Sequence, residues 1–458
     1  MLTGRVGLAR LAIGAAAAHQ TRGVGDFAER ERMTGHMRRA AGLAGLAALV
    51  AATPLAAETV AIRAGAVLAD AAGEPSGPAT ILVEDGRIVS ITPGHGAVAA
   101  DREIDLARLT VLPGLIDLHT HLTGDPGGDF WKKATEPDEW GVVVGAKNAL
   151  LTVRAGFTTV REAGSGRDTA FALRRGTAEG VIPGPRIVAA GPALSIIGGH
   201  ADVNGFRSEV NELLDSGFNC TGPVECAAKV RLASQNGSDV IKITATGGVL
   251  SQQGRGLEAH FTPEEMKAIA DTAHSLGLKV MAHAHGARGI QQAAEAGIDS
   301  IEHGTYLDED AAKAMKANGT VLVPTLMALE GVSEGLGKGV YTPVVEDKIR
   351  AVQPLMASLV SRARQYGVTV AFGTDAGVYS HGRNAEELAL MRKQGMSDRE
   401  VLASATTGAA KVLGMESQIG RLAPGYSADI IAVDGNPLAD VSVLEKVDFV
   451  MVRGRVIE

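Results

Sequence analysis

The sequence predicts a mixed α/β fold: a (β/α)8 barrel joined to a small composite β-sandwich domain built from both chain ends. Three observations predict it. Short apolar strands alternate with helical stretches from about 113 to 415. Segments with strand-like alternation and turn residues precede that region, over 58–112, and follow it, over 416–458. Ionisable residues stand in or at the ends of several apolar strands, which is where a barrel gathers its chemistry.

The chain of 458 residues opens on an Arg/Gly/Ala-rich stretch, 1–36, with no structural pattern. From Met37, "MRRAAGLAGLAALVAATPLAA" has a basic start, a small-residue apolar run and a cleavable end, the pattern of a secretory signal over 37–57. The expectation is an upstream extension from an over-called start, cleavage after Ala57, and an exported, periplasmic protein beginning near Glu58. A genuine leader over 1–36 is the alternative.

Next come "TVAIRAGAVLAD", "ATILVEDGRIVSITPG" and "REIDLARLTVLPG". Asp85–Gly86, between "TILVE" and "RIVSI", is a hairpin signal, because a two-residue turn needs positive φ at both positions. The barrel strands follow: "TVLPGLIDLHTHL", "FTTVREAG", "RIVAAG", "SDVIKITATGG", "LKVMAHAHG", "IDSIEHG", "TVLVPTL" and "VTVAFGTDAG". Of the helices between them, "TPEEMKAIADTAHSLG" shows its start most clearly. Thr262 caps, Pro263 suits the first turn, and Glu265 completes a capping box. A doubly wound sheet is the alternative architecture, but it does not collect polar groups from so many strands at one mouth. Beyond 415, "GRLAPGYSADIIAVDG" and "KVDFVMVRGRVIE" return to strand patterns.

A formal charge of −8 argues against a nucleic-acid-binding surface. Two cysteines, Cys220 and Cys226, are too few for a disulfide framework. They are either one bridge in an oxidising compartment or two free thiols. No segment beyond the signal pattern is long and apolar enough to span a membrane.

His119 and His121 alternate at the end of the first strand, so both project from one face. Lys242 lies in the fourth strand, His283 ends the fifth, His303 the sixth and Asp375 the eighth. Neutral imidazoles with a carboxylate suit zinc or a similar divalent ion. His285, two residues after His283, faces the same side and can donate to an oxyanion. His200, in the Gly-rich "SIIGGHAD", can reach the mouth and touch substrate. Arg383 in "HGRNAEEL", Arg288 after "HAHGA", and Tyr306 are further substrate-contact candidates, the arginines for a carboxylate. His260 and His274 carry no expected role. "ATGGV" lacks the Lys-Ser/Thr pair of a phosphate loop.

Together "HTH", "KITATGGV", "HAHG", "IEHGTYLD", "GTDAG" and "APGYSADIIAVDGNPL" resemble the amidohydrolase superfamily over roughly 58–458. Within it they are similar to the prolidase-like, imidazolonepropionase-related branch, which holds dipeptidases, carboxypeptidases and ochratoxin-hydrolysing amidases. The resemblance implies a binuclear centre: His119, His121 and Asp375 on one metal, His283 and His303 on the other. Lys242 would bridge them as a carbamate, since an ammonium cannot ligate a cation whereas a carbamate offers anionic oxygens. The implied reaction is metal-assisted hydrolysis of a dipeptide or N-acyl amino acid, ochratoxin A included, with Asp375 carrying the proton to the leaving amine. The resemblance also implies a homo-oligomer, commonly an octamer. Two rivals stand beside it: hydrolysis of a cyclic amide or deamination, and a non-catalytic periplasmic binding protein.

Overall fold

The first and last strands of the described residues belong to a single sheet. The structure, a computed structural model, describes residues 58–252 and 256–458; the expected extension and signal, 1–57, lie outside the described residues. The strands are β1 (Thr59–Val67), β2 (Ala79–Glu84), β3 (Arg87–Pro93), β4 (Arg102–Pro113), β5 (Leu115–Thr120), β6 (Phe157–Glu162), β7 (Arg186–Ala189), β8 (Val240–Thr244), β9 (Lys279–Ala284), β10 (Ser300–His303), β11 (Val321–Val323), β12 (Ile430–Val433), β13 (Phe449–Val452) and β14 (Arg455–Val456). The first four and last three form one seven-stranded sheet, ordered β14-β13-β12-β4-β1-β2-β3.

In the region where the sequence reading expects a sandwich, hydrogen bonding runs through all seven strands in one order. Its register shifts at Ala64/Ala66 and at Leu82/Val83, and such irregularities bend and twist a sheet locally. Residues from both ends of the strand order, Val60, Ile62, Ile81, Ile430 and Met451, share one buried cluster. The β2–β3 hairpin turns on Asp85 (φ 49°) and Gly86 (φ 72°), the two positive φ values expected of Asp-Gly. A side chain on Gly86 would also meet the Arg453 carbonyl oxygen at 2.7 Å.

Strand alternation joins this sheet to the rest of the molecule. Ile430 and Ala432 pack into the sheet's own cluster, while Ile431 and Val433 belong to the large core beneath the parallel strands. Those parallel strands form two sheets, β5-β6-β7 and β8-β9-β10-β11. β5, β6 and β8 are buried along their whole length, as expected of strands covered on both faces. Helices such as Pro263–Ser275 and Ala287–Glu295 fill the connections, the first with its Thr262/Glu265 capping box formed.

The eighth expected strand is held by single parallel bridges, Leu322↔Val370 on one side and Thr120↔Ala376 on the other, not by ladders. One bridge, Leu194↔Ile243, links the segment after β7 to β8. The chain supplies local reasons. Asp375 takes φ 62°, which interrupts an extended ladder. Pro192, just beyond β7, has no N–H to donate. The expected seventh strand stops at Val323 because Pro324 follows and a helix, Leu326–Ser333, begins at once. Cys220 and Cys226 form a disulfide, which resolves the alternative left open by the sequence. No helix among the described residues is long and apolar enough to cross a membrane.

Candidate metal centre

Each histidine of the centre is aimed by a partner on its other nitrogen. His119 and His121 leave the C-terminal end of β5 on one side. His119 Nδ1 lies 2.8 Å from Glu302 Oε2, and His121 Nδ1 lies 3.0 Å from the Gly164 carbonyl oxygen. Both partners are acceptors, so both Nδ1 atoms donate and both Nε2 lone pairs face inward. They converge on Asp375: its Oδ1 is 3.4 Å from His119 Nε2 and 3.3 Å from His121 Nε2. The Asp375 N–H in turn donates to the His119 carbonyl oxygen at 2.7 Å, which ties the eighth segment to β5 at the site itself.

The second group gathers His283, His285 and His303, whose nitrogen atoms lie within 4.8 Å of one another. His303 Nδ1 is 2.7 Å from Thr325 Oγ1, and His285 Nδ1 is 2.7 Å from Thr305 Oγ1. The groups adjoin, with the His119 and His303 rings 5.2 Å apart. His303, Thr325 and Asp375 all hold positive φ, at 71°, 49° and 62°. Three strained non-glycine residues in one site place the local cost, about 1–3 kcal/mol each, where the side chains must be aimed.

Burial sets the protonation states. It holds the His119, His283 and His303 imidazoles well below their usual range, with Lys242 and neighbouring histidines adding to the effect. Burial likewise lowers His285 to about 3. All four are therefore neutral near pH 7, as metal ligation requires. Burial also raises Asp375 and lowers Lys242, pushing both towards their uncharged forms. Asp375 Oδ1 is buried with no hydrogen-bond partner, although two imidazole nitrogens face it. An unsatisfied carboxylate oxygen opposed by lone pairs is the arrangement a divalent cation satisfies. The donor set fits the metal that the sequence implies.

Beneath these ligand candidates lies a buried scaffold that strand-end reasoning does not find. Glu302 Oε1 accepts from Arg161 at 2.8 Å and from Ser300 Oγ at 2.6 Å, and Arg161 Nε donates to the Leu118 carbonyl oxygen at 2.6 Å. Asp117 accepts from the His119 N–H at 3.0 Å and from Thr374 Oγ1 at 2.6 Å, binding β5 to the eighth segment. Burial raises Asp117 to about 6. His381 reaches the His121 carbonyl oxygen at 3.3 Å and Thr152 Oγ1 at 2.9 Å. The available signals were local: Asp117 in "DLHTH" and Glu302 in "IEHG" each sit beside a ligand candidate.

A cleft of about 520 Å³, open to solvent, faces the centre and is lined by His200, His283, His285, His303 and Asp375 on its polar side. His200 is therefore where the sequence places it. Its Nδ1 is 2.6 Å from Ser251 Oγ, and a side chain on Gly248 would meet its ring at 2.1 Å. Arg383 is not available for substrate: two bonds of 2.8 Å to Glu386 and one of 3.0 Å to Glu334 hold it. Arg288 is exposed on the helix Ala287–Glu295, and neither it nor Tyr306 lines the cleft. His274 pairs with Asp299 at 2.9 Å, away from the centre.

Known proteins share this architecture. A family model described as "Amidohydrolase family" matches residues 110–457. An ochratoxinase from Aspergillus niger is 32% identical, covering 87% of this chain and 86% of that protein. An imidazolonepropionase from Salinispora tropica is 28% identical over 78% of this chain and 86% of its own length. The crystal structure of a Xaa-Pro dipeptidase with methionine bound in its active site superposes with a TM-score of 0.81 at 38% identity, covering 87% of this chain and 99% of that one.

Proposed function

The chain belongs to the amidohydrolase family, and from that premise we propose that it is a binuclear metal-dependent hydrolase that releases the C-terminal amino acid of dipeptides or N-acyl amino acids. The carrying observation is the orphaned Asp375 Oδ1 facing His119 and His121, with the His283/His285/His303 group alongside. In this reading His119, His121 and Asp375 would hold one zinc ion and His283 and His303 the other. Burial favours the neutral amine of Lys242, the form that adds to carbon dioxide, so a carbamate is the form in which Lys242 would join the ligand set. The parallel bridges at Leu194, Leu322 and Thr120 support closing the two sheets into the expected barrel.

Bound zinc supplies Lewis acidity and makes hydroxide available near neutral pH. The protein's own groups do the rest. Asp375 takes the proton of the nucleophile and delivers it to the departing nitrogen, which leaves poorly unless protonated. Thr305 Oγ1 holds His285 at Nδ1 and aims Nε2 into the cleft; with the Thr305 hydroxyl donating to Nδ1, the neutral ring carries its proton on Nε2, the atom placed to donate to the developing oxyanion. The apolar cleft wall, which includes Leu329, Val352 and Met356, excludes water from the acyl or side-chain groups.

The names of two similar proteins, an ochratoxinase and a Xaa-Pro dipeptidase, favour an open-chain amide. The imidazolonepropionase favours the second reading, a cyclic amide. The intact donor set argues against a retired binding protein. Export through the 37–57 signal and assembly into a homo-oligomer belong to the same proposal. The deciding experiment is free amino acid release from a library of dipeptides and N-acyl amino acids, with a chelated control. Metal-dependent release supports the reading; turnover of cyclic amides alone replaces it.

A further inference from the structure

A helix that starts beside the centre lacks its ordinary cap. Leu326–Ser333 follows Thr325, whose Oγ1 meets His303 Nδ1 at 2.7 Å. A threonine before a helix usually adopts extended backbone and turns its hydroxyl onto the N–H groups of the first turn. Thr325 does neither: it holds φ 49° and ψ 51°, and its side chain makes no capping bond. Its hydroxyl is spent on the imidazole, so the first-turn N–H groups need an acceptor from elsewhere. Glu387 supplies it from the helix Glu386–Lys393. Its Oε1 accepts from the Leu326 N–H at 2.9 Å and its Oε2 from the Met327 N–H at 2.6 Å. All three residues are buried, Glu387 completely. The helix held in this way carries Ala328, Leu329 and Val332, which line the cleft together with Thr325 itself.

We infer that Glu387 is a positioning residue: by capping the helix Leu326–Ser333 in place of Thr325, it frees the Thr325 hydroxyl to aim the His303 imidazole at a metal ion. The inference rests on the hydrolase reading above and deepens it. His119 is aimed directly by a carboxylate, that of Glu302. His303 is aimed by a hydroxyl whose own residue sits in left-handed backbone, which a β-branched side chain seldom adopts. An Nδ1–H donating to that hydroxyl would leave the Nε2 lone pair for the metal. Once the Leu326 and Met327 N–H groups lose their acceptor, Thr325 gains by relaxing to extended backbone and capping them itself. That exchange strips His303 Nδ1 of its partner.

The test is zinc binding, read by competition with a chelator. E387Q keeps an oxygen for one N–H and sets an amide NH2 against the other. One of the two zinc ions is then held about 10–100-fold more weakly, while the other keeps its affinity. T325V keeps the shape of Thr325, removes its hydroxyl and weakens the same ion. The double variant E387Q/T325V loses no more than T325V alone, because both changes act on one bond. A residue that only props up the fold lowers Tm without touching zinc affinity, or adds its loss to that of T325V. Unchanged affinity in folded E387Q, or additive losses in the double variant, overturns the inference. Should E387Q fail to fold, E387D, which keeps both oxygens on a shorter arm, is read by the same comparison. Wild type that binds fewer than two zinc ions fails the binuclear reading separately. Modification of His303 by diethyl pyrocarbonate in metal-free protein, located by peptide mapping, then decides. It runs faster in E387Q and in T325V than in wild type, and equal rates in E387Q and wild type overturn the inference.

Discussion

Glu302 and His119 meet through Oε2 and Nδ1 at 2.8 Å, both buried, with the Arg161 guanidinium on the other side of the same carboxylate. The carboxylate fixes the imidazole tautomer and is itself fixed by a cation, so one buried ion pair aims the metal-facing nitrogen. E302Q keeps the shape but removes the charge. Metal affinity then drops about 10–100-fold, and the uncompensated Arg161 costs on the order of 3–5 kcal/mol of stability. Competition with a zinc chelator and denaturant unfolding measure the two effects. Unchanged metal affinity in folded E302Q removes Glu302 from the role of orienting His119.

Asp375 is assigned the proton transfer, so D375N lowers turnover by about 100- to 10,000-fold while circular dichroism stays native. Near-normal turnover in that variant would falsify the assignment.

Lys242 lies in the fully buried β8. As a carbamate it makes the gently handled native chain one carbon dioxide heavier, and acid reverses the gain. Intact mass spectrometry reads this directly. K242A binds less zinc, and added short carboxylates restore part of it. An unmodified mass in zinc-loaded, active protein rules out the carbamate.

Glu162 is buried, with Oε2 accepting from the Leu122 N–H at 2.7 Å and Oε1 unpartnered. Burial raises its carboxyl from 4.5 to about 8. Between those values the folded chain keeps a proton that the unfolded chain has lost, so stability falls as pH rises through the window. The full span is worth on the order of 4 kcal/mol. E162Q lacks this slope. Its Tm relative to wild type therefore climbs from about pH 5 to about pH 8, and a flat difference across that range contradicts a neutral buried Glu162.

The gathering of His119, His121, His283, His303 and Asp375 was legible from strand alternation and strand ends. Alternation places His119 beside His121, and strand ends place His283, His303 and Asp375 at one mouth. The residues that aim them were not legible. Glu302 and Arg161 act across β10 and β6, and Asp117 across β5 and the eighth segment; such pairs exist only once the strands are adjacent. Arg383 reads as a free cation in sequence, yet Glu386 three residues on takes its fork. Where the ladders are continuous and where they break is not legible in the sequence either. Register shifts and a positive φ decide whether a strand joins a continuous ladder, and neither alters the apolar pattern.

β4 pairs with β1 on one edge and with β12 on the other, Pro113 opposite Ile430. The ribosome therefore adds every residue between Pro113 and Ile430 before that second edge is covered. Until then the nascent protein carries an open strand edge and lacks Ile431 and Val433 from its main core. Native assembly waits for β12 and proceeds through contacts of very long sequence separation, a slow route. A chain stalled or clipped before residue 430 keeps every candidate metal ligand yet exposes a sticky strand, which makes it prey for chaperones and proteases.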